Sequence, residues 1–187
     1  MERREAVKLI SFIMGSAMVG GSAIIQGCRT SSPSTGLFSK DQIAFLDEVA
    51  EVIIPRTDTP GAKDAEMGAF LALMVEDTYS DRDQEVFVAG IKDINDRSIE
   101  AYGLSFLDSS PDQRHDLLSS LNELQEKHHK EKDAGEPEHY FRMMKELTLL
   151  GFFTSEVGVK EVRRYTPVAG KFEPCIDYKP GDRAWVY

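Results

Sequence analysis

Cysteine is scarce in this chain: Cys28 and Cys175 are the two present among 187 residues. A disulfide framework is therefore excluded, and so is a zinc site built on several closely spaced thiolates. Concentrated positive charge is missing as well. Lys and Arg number 22 against 32 Asp and Glu, a formal charge of −10, and the short basic runs Lys127–Lys132 and Arg163-Arg164 have acidic neighbours. Such a surface repels phosphate backbones, so no nucleic-acid partner is expected. No Gly-x-Ser-x-Gly elbow and no Cys-x-x-Cys-His haem attachment occurs. The clustered glycines Gly15, Gly20 and Gly21 follow no strand and do not make a dinucleotide-binding turn. No repeat shows at solenoid periods.

What is present begins with a leader. Arg3-Arg4-Glu5-Ala6-Val7-Lys8 precedes a run from Leu9 to Ile25 that carries no charge. A basic start followed by an apolar run reads as an export signal over residues 1–27. Adjacent Arg3 and Arg4 favour the twin-arginine type, which carries folded cargo. Glycines within the run, and its shortness against the ~20 residues of a membrane span, favour a cleaved signal over a retained anchor. Ile25-Gln26-Gly27-Cys28 also looks like a bacterial lipobox, with Cys28 as the lipidated residue and Gln26 departing from the usual small residue. Residues 28–38, rich in Ser, Thr, Pro and Gly, read as a flexible tether. The location expected is the periplasm or the periplasmic face of the inner membrane.

Helical periodicity dominates the body. Ser39 with Gln42 makes a capping box, and Ile43, Leu46, Ala50 and Ile53 share one face of a helix over about 39–54. A second helix is expected from Lys63 or Asp64 to about Tyr79, and a third over about 82–102 with Gly103 as a left-handed cap. Ser110-Pro111 opens a fourth, over about 111–130, which turns wholly polar towards its end. A fifth, over about 137–157, is apolar nearly all round in its second half, which implies burial on more than one side. Beyond Val162 the pattern is extended, with Pro167, Pro174, Pro180 and five aromatic residues including Tyr178, Trp185 and Tyr187. Few aromatics is the signature of disorder, so this arm either folds back on the bundle or lies along a partner. The expected fold is mainly α: about five helices in a small bundle or orthogonal array over 39–160, with an extended arm over 161–187.

Catalytic groups are hard to find. Glu126-x-x-His129 and Glu136-x-x-His139 have the spacing of di-iron bundles. Glu126 and His129 sit in a charged run with no apolar stripe, and Pro137 makes the other pair straddle a helix start. Glu51 and Glu76 are only nominal further ligands. Cys175 has no nearby histidine to activate it, and Asp58 stands between Thr57 and Thr59, where bonding within the loop is the default. No catalytic, cofactor or metal residue is expected in this chain.

The most informative stretch joins the first two helices: Ile53-Ile54-Pro55-Arg56-Thr57-Asp58-Thr59-Pro60-Gly61-Ala62. Pro55 ends the first helix and Pro60-Gly61 makes a turn. As a whole it resembles the IIP-x-TDTPGA segment of the gluconate 2-dehydrogenase subunit 3 family, supported by the helix around Phe141–Phe153 and the closing Pro180-Gly181-Asp182-Arg183-Ala184-Trp185. The family usually shows Val-Pro near the start of the second helix, where this chain has Met67-Gly68. The resemblance implies a small accessory subunit of a flavin-dependent sugar dehydrogenase. Its partners would be a large FAD flavoprotein of the glucose–methanol–choline type and, in some complexes, a haem c cytochrome. Similar subunits accompany glucoside 3-dehydrogenases. It implies no activity for the chain alone, and a role in stabilising and exporting the flavoprotein. The residues proposed to bind the partner are Pro55, Arg56, Thr57, Asp58, Thr59, Pro60 and Gly61, with Tyr178, Trp185 and Tyr187. The alternative from another class is a stand-alone, envelope-anchored helical binding domain or a metal-binding bundle.

Overall fold

The computed structural model describes residues 36–168, 170, 171, 173 and 175–186. Arg3, Arg4, Cys28 and Tyr187 lie outside the described residues, as do the export signal and nearly all of the proposed tether. Among the described residues five α-helices follow one another: α1 (Lys40–Ile53), α2 (Met67–Thr78), α3 (Asp81–Tyr102), α4 (Pro111–Glu131) and α5 (Tyr140–Thr154). A 3-10 turn (Ala62–Ala65) precedes α2, and a π-turn (Gly158–Val162) follows α5. The fold is mainly α, as the periodicity required.

The starts of the helices follow their side chains. Ser39 and Ser110 both form complete capping boxes, with Gln42 and Gln113. Each box satisfies two backbone N–H groups that a helix start leaves unbonded. Gly103 stands at φ 72° as the C-cap of α3, a conformation glycine adopts without a Cβ penalty. Phe38, the last residue of the proposed tether, is buried and sets its ring edge-on to Phe87.

Two helices begin later than their sequence pattern predicts. The chain between Ala62 and Ala65 is 3-10, and Glu66 then takes a left-handed conformation at φ 50° before α2 starts. The cause is a capping acid on the neighbouring helix: the Gly68 N–H donates to Asp47 Oδ1 at 2.6 Å. A Cβ on Gly68 would stand 2.3 Å from the Ile43 carbonyl, so α1 and α2 touch through backbone there. Helix α5 begins at Tyr140 rather than Pro137 because His139 caps it, with its Nδ1 accepting the Phe141 N–H at 3.1 Å.

Both α1 and α5 contact each of the other helices. Leu46, Val49, Leu71, Phe87, Ile94, Leu121, Met144 and Phe152 fill the centre. Burying such a side chain stabilises the fold by roughly 1.5–3 kcal/mol. The second half of α5 is less enclosed than its composition suggests, since Leu149 and Leu150 face outward. Conversely, Phe106 in the α3–α4 connector is fully buried and packs on Phe45 at 5.0 Å. Its N–H is taken by Asn95, and the buried hydroxyls of Ser98 and Ser109 bond each other at 2.9 Å.

Candidate partner-binding surfaces

The corner between α1 and α2 is an exposed knob on a tightly bonded base. Glu51 makes the base. Its Oε1 accepts the Arg56 N–H and its Oε2 accepts the Lys63 N–H, each at 2.9 Å, so one carboxylate fastens both sides of the loop. The Ala62 N–H donates to the Ile54 carbonyl at 2.9 Å, and the Gly61 N–H to Asp64 Oδ2 at 2.9 Å. Asp64 also pairs with the Arg56 guanidinium. Gly61 is required by this crowding, because a Cβ there would lie 2.5 Å from both the Arg56 nitrogen and Glu51 Oε1.

Outside that base, Pro55, Arg56, Thr57 and Asp58 are exposed, while Thr59 and Pro60 are half-buried. The Thr57 N–H closes a turn on the Thr59 carbonyl at 3.0 Å, and the Thr57 hydroxyl donates to Asp58 Oδ1 at 3.0 Å. Asp58 thus bonds within its loop. Glu48, one turn before Glu51, carries the corner's bracing outward to Lys63 at 2.5 Å and to Arg114 of α4 at 2.6 Å. Burial pushes the Glu48 pKa up, but Lys63 and Arg114 together outweigh it and hold the carboxyl below its ordinary value.

The arm is attached more lightly. After the π-turn, β1 (Arg164–Tyr165) pairs in parallel with β2 (Trp185–Val186). The Arg164 and Thr166 N–H groups donate to the Ala184 and Val186 carbonyls, each at 2.9 Å. A turn at Pro180-Gly181, with Gly181 at φ 94°, sends the chain end back. Asp182 braces it by accepting the Lys179 N–H at 2.8 Å. Arg183 then donates to the Glu161 carbonyl at 2.8 Å, and the Arg164 guanidinium lies 4.1 Å from the Trp185 ring centroid. The arm therefore folds back on the segment that follows α5. Trp185 remains 49% exposed and Tyr178 75% exposed.

Corner and arm share one end of the bundle. Gly151, near the end of α5, lets the helix approach so closely that a Cβ would stand 2.5 Å from the Phe70 ring and 2.9 Å from the Met67 sulfur. Those two residues open α2 directly after the corner, and the arm's root leaves α5 a turn later. Leu150 adjoins Gly151 and is 52% exposed, adding apolar surface to that end. Sequence reasoning named Glu51 only as a nominal metal ligand and Asp64 only as a possible helix start, and it gave neither these nor Leu150 a place in a binding surface. One signal was available for Glu51: a carboxylate in the last turn of a helix opposes the helix dipole and needs donors of its own.

The residues weighed as metal ligands are dispersed. Glu126 bonds Asn122 on its own helix, and His129 Nδ1 lies 3.1 Å from Glu138. Glu138 also takes Lys132 at 2.9 Å. Among the described residues, no group of three or more His, Cys, Asp or Glu side chains converges. Cys175 is exposed. A separate polar cluster joins α3 to α5. Asp93 Oδ2 accepts the Tyr140 hydroxyl at 2.5 Å and Arg97 Nε at 2.6 Å. Burial raises the Asp93 pKa, yet these two donors outweigh it and lower it overall. Burial and the Asp93 carboxylate push the Tyr140 phenol well up. These groups are committed to one another and to joining helices.

Comparison with known proteins agrees with the corner. No curated protein and no solved structure gives a significant match. A family profile does: residues 40–170 match the one described as gluconate 2-dehydrogenase subunit 3. That span holds all five helices, the corner and the root of the arm, so the chain belongs to the gluconate 2-dehydrogenase subunit 3 family.

Proposed function

We propose that this chain is the non-catalytic small subunit of a flavin-dependent sugar or sugar-acid dehydrogenase, of the gluconate 2-dehydrogenase or glucoside 3-dehydrogenase type. It grips a large FAD-bearing subunit of the glucose–methanol–choline type, stabilises it and helps carry it out of the cytoplasm. Some complexes of this type also contain a haem c cytochrome, which would be a further partner. The observation that carries this reading is the family match over residues 40–170. It is supported by the bonding of the corner's titratable groups, Glu51, Asp58 and Asp64, which serve the loop itself. Further support comes from the apolar and aromatic side chains left open at the same end.

The export half of the reading rests on Arg3-Arg4. A flavoprotein folds around FAD before it crosses the membrane, and a folded-cargo signal on its small subunit carries the assembled pair. Purification of the tagged chain from its native source tests the subunit role. Co-elution of a large protein with bound flavin is expected, and its absence overturns the role. Replacing both Arg3 and Arg4 with Lys is expected to trap the flavoprotein in the cytoplasm; unchanged export rejects the carrier function. Intact-mass measurement of the mature protein tests Cys28, where lipidation shows as an added diacylglyceryl mass at the new N-terminus.

A further inference from the structure

Away from the corner, one stripe of α3 is left partly open among the described residues. Asp81, Glu85, Val88, Lys92, Asn95 and Ile99 recur at three- and four-residue spacing and form one stripe. Gln42 and Phe45 of α1 and Leu107 of the connector wall it into an open trough of about 510 Å³. A second hollow of about 580 Å³ continues the trough past Val88 and Ala89 to Gln84 and Leu37. From Asp81 to Asn95 it runs roughly 21 Å, at 1.5 Å per helical residue.

The floor is apolar and the rim is negative. Asp41, Asp81 and Glu85 line the trough, and none of the three takes part in an ion pair among the described residues. Lys92, the cation among the lining residues, is already paired with Asp96 at 2.5 Å. A trough of this length, apolar below and acidic at the edges, suits the insertion of an amphipathic helix. A second copy of this chain, with its net charge of −10, would bring like charge to the rim. Anionic lipid headgroups would meet the same repulsion.

We propose that the trough receives a helical segment of the complex's larger subunit, about four turns long, with an apolar stripe flanked by Lys or Arg. The proposal rests on the subunit reading given above. Asp41 stands about 18 Å along α1 from Ile53, by helical rise. The trough is therefore a second hold on the partner, separate from the corner, and its acidic rim orients the incoming segment by charge.

A photo-crosslinking residue at position 89 of the full-length chain, produced in its native host, tests this. Position 89 is exposed, so the probe disturbs no core packing. After irradiation, the cross-linked peptide is expected to belong to the flavin-bearing subunit and to carry an apolar stripe with at least two flanking Lys or Arg. A cross-link to an acidic segment, to a second copy or to lipid overturns the proposal. So does no cross-link at 89 while the same probe at position 58 captures the flavoprotein, a result that leaves the subunit reading standing. Capture at neither position, with no co-purifying flavin, removes both. In parallel, Ala89→Arg is expected to lower recovery of the large subunit on the order of tenfold, as a blocked central contact does. Glu85→Lys is expected to lower it less and to flatten its salt dependence. Full recovery with Ala89→Arg, at an unchanged thermal midpoint, also overturns the proposal.

Discussion

The corner and the C-terminal arm both display exposed proline and polar side chains, yet they are secured in different ways. Acids on α1 and the 3-10 turn fasten the corner, with Glu51 holding two backbone N–H groups and Asp64 holding a third. The arm returns through a two-residue parallel pairing, one Arg183–carbonyl bond and the stacking of Arg164 on Trp185. The first is part of the bundle's own stability. The second is a local closure that can open without disturbing the core. A surface of the first kind presents a fixed shape to a partner, while one of the second kind can adjust to it.

The sharpest break of this contrast is Gly61→Val. Its side chain would displace the Glu51 carboxylate and crowd the Arg56 nitrogen, and an overpacked site of this kind costs about 3 kcal/mol. Denaturant unfolding of the full chain measures it. Next comes Glu51→Ala, which strips both loop N–H groups of a charged acceptor. The expected loss is about 2 kcal/mol, or a Tm lower by about 4–8 °C for a body of this size. Because valine at 61 clashes with that same carboxylate, the double variant is expected to lose less than the sum of the two. Additive losses would show that Glu51 and Gly61 act separately.

A smaller effect separates the two ends of α5. His139 caps the helix with a neutral Nδ1. Burial first, and then His128 beside it, depress its pKa below the ordinary 6.5, with Arg97 acting in the same direction and Asp93 opposing. The unfolded chain therefore takes up a proton at higher pH than the folded one. Stability from this group is complete above about pH 6.5 and is lost as pH falls from there through the folded pKa. Replacing the cap by His139→Asn keeps an acceptor at the helix start and is expected to remove that pH dependence. An identical pH profile in the variant would place the dependence elsewhere.

The smallest effect is the most discriminating. Removing Asp177–Tyr187 takes away the strand partner of Arg164 and the Trp185 stack but no residue of the buried core. Bundle stability is expected to change by less than about 0.5 kcal/mol, while recovery of the partner falls. A large drop in Tm would mean the arm belongs to the core after all, and unchanged recovery would mean that it contributes nothing to binding.

Much of the fold was legible because short-range rules govern it. The Ser39 capping box, the Ser110 cap, the Gly103 cap, the Pro55 break and the apolar face of α1 act within one or two helical turns. What escaped depended on long-range contacts. Asp47 delays α2 by bonding Gly68, twenty-one residues on. Phe106 sits in a stretch without periodicity and is buried only because Phe45 and Arg114 meet it there. For the candidate surfaces, local sequence pointed to the corner, but not to the acids beneath it. The arm's two possible courses could be separated only by the pairing of residue 164 with residue 185.

The chain's own order of residues settled its helical class, its breaks and its family, since periodicity, caps and a ten-residue signature are all local properties. The tertiary structure decided which exposed residues share one end of the bundle and which face of α3 is open among the described residues. Those outcomes depend on how closely helices approach, and close approach is set by pairs such as Gly151 with Phe70 and Gly68 with Ile43. Their members lie far apart along the chain and meet only when it packs.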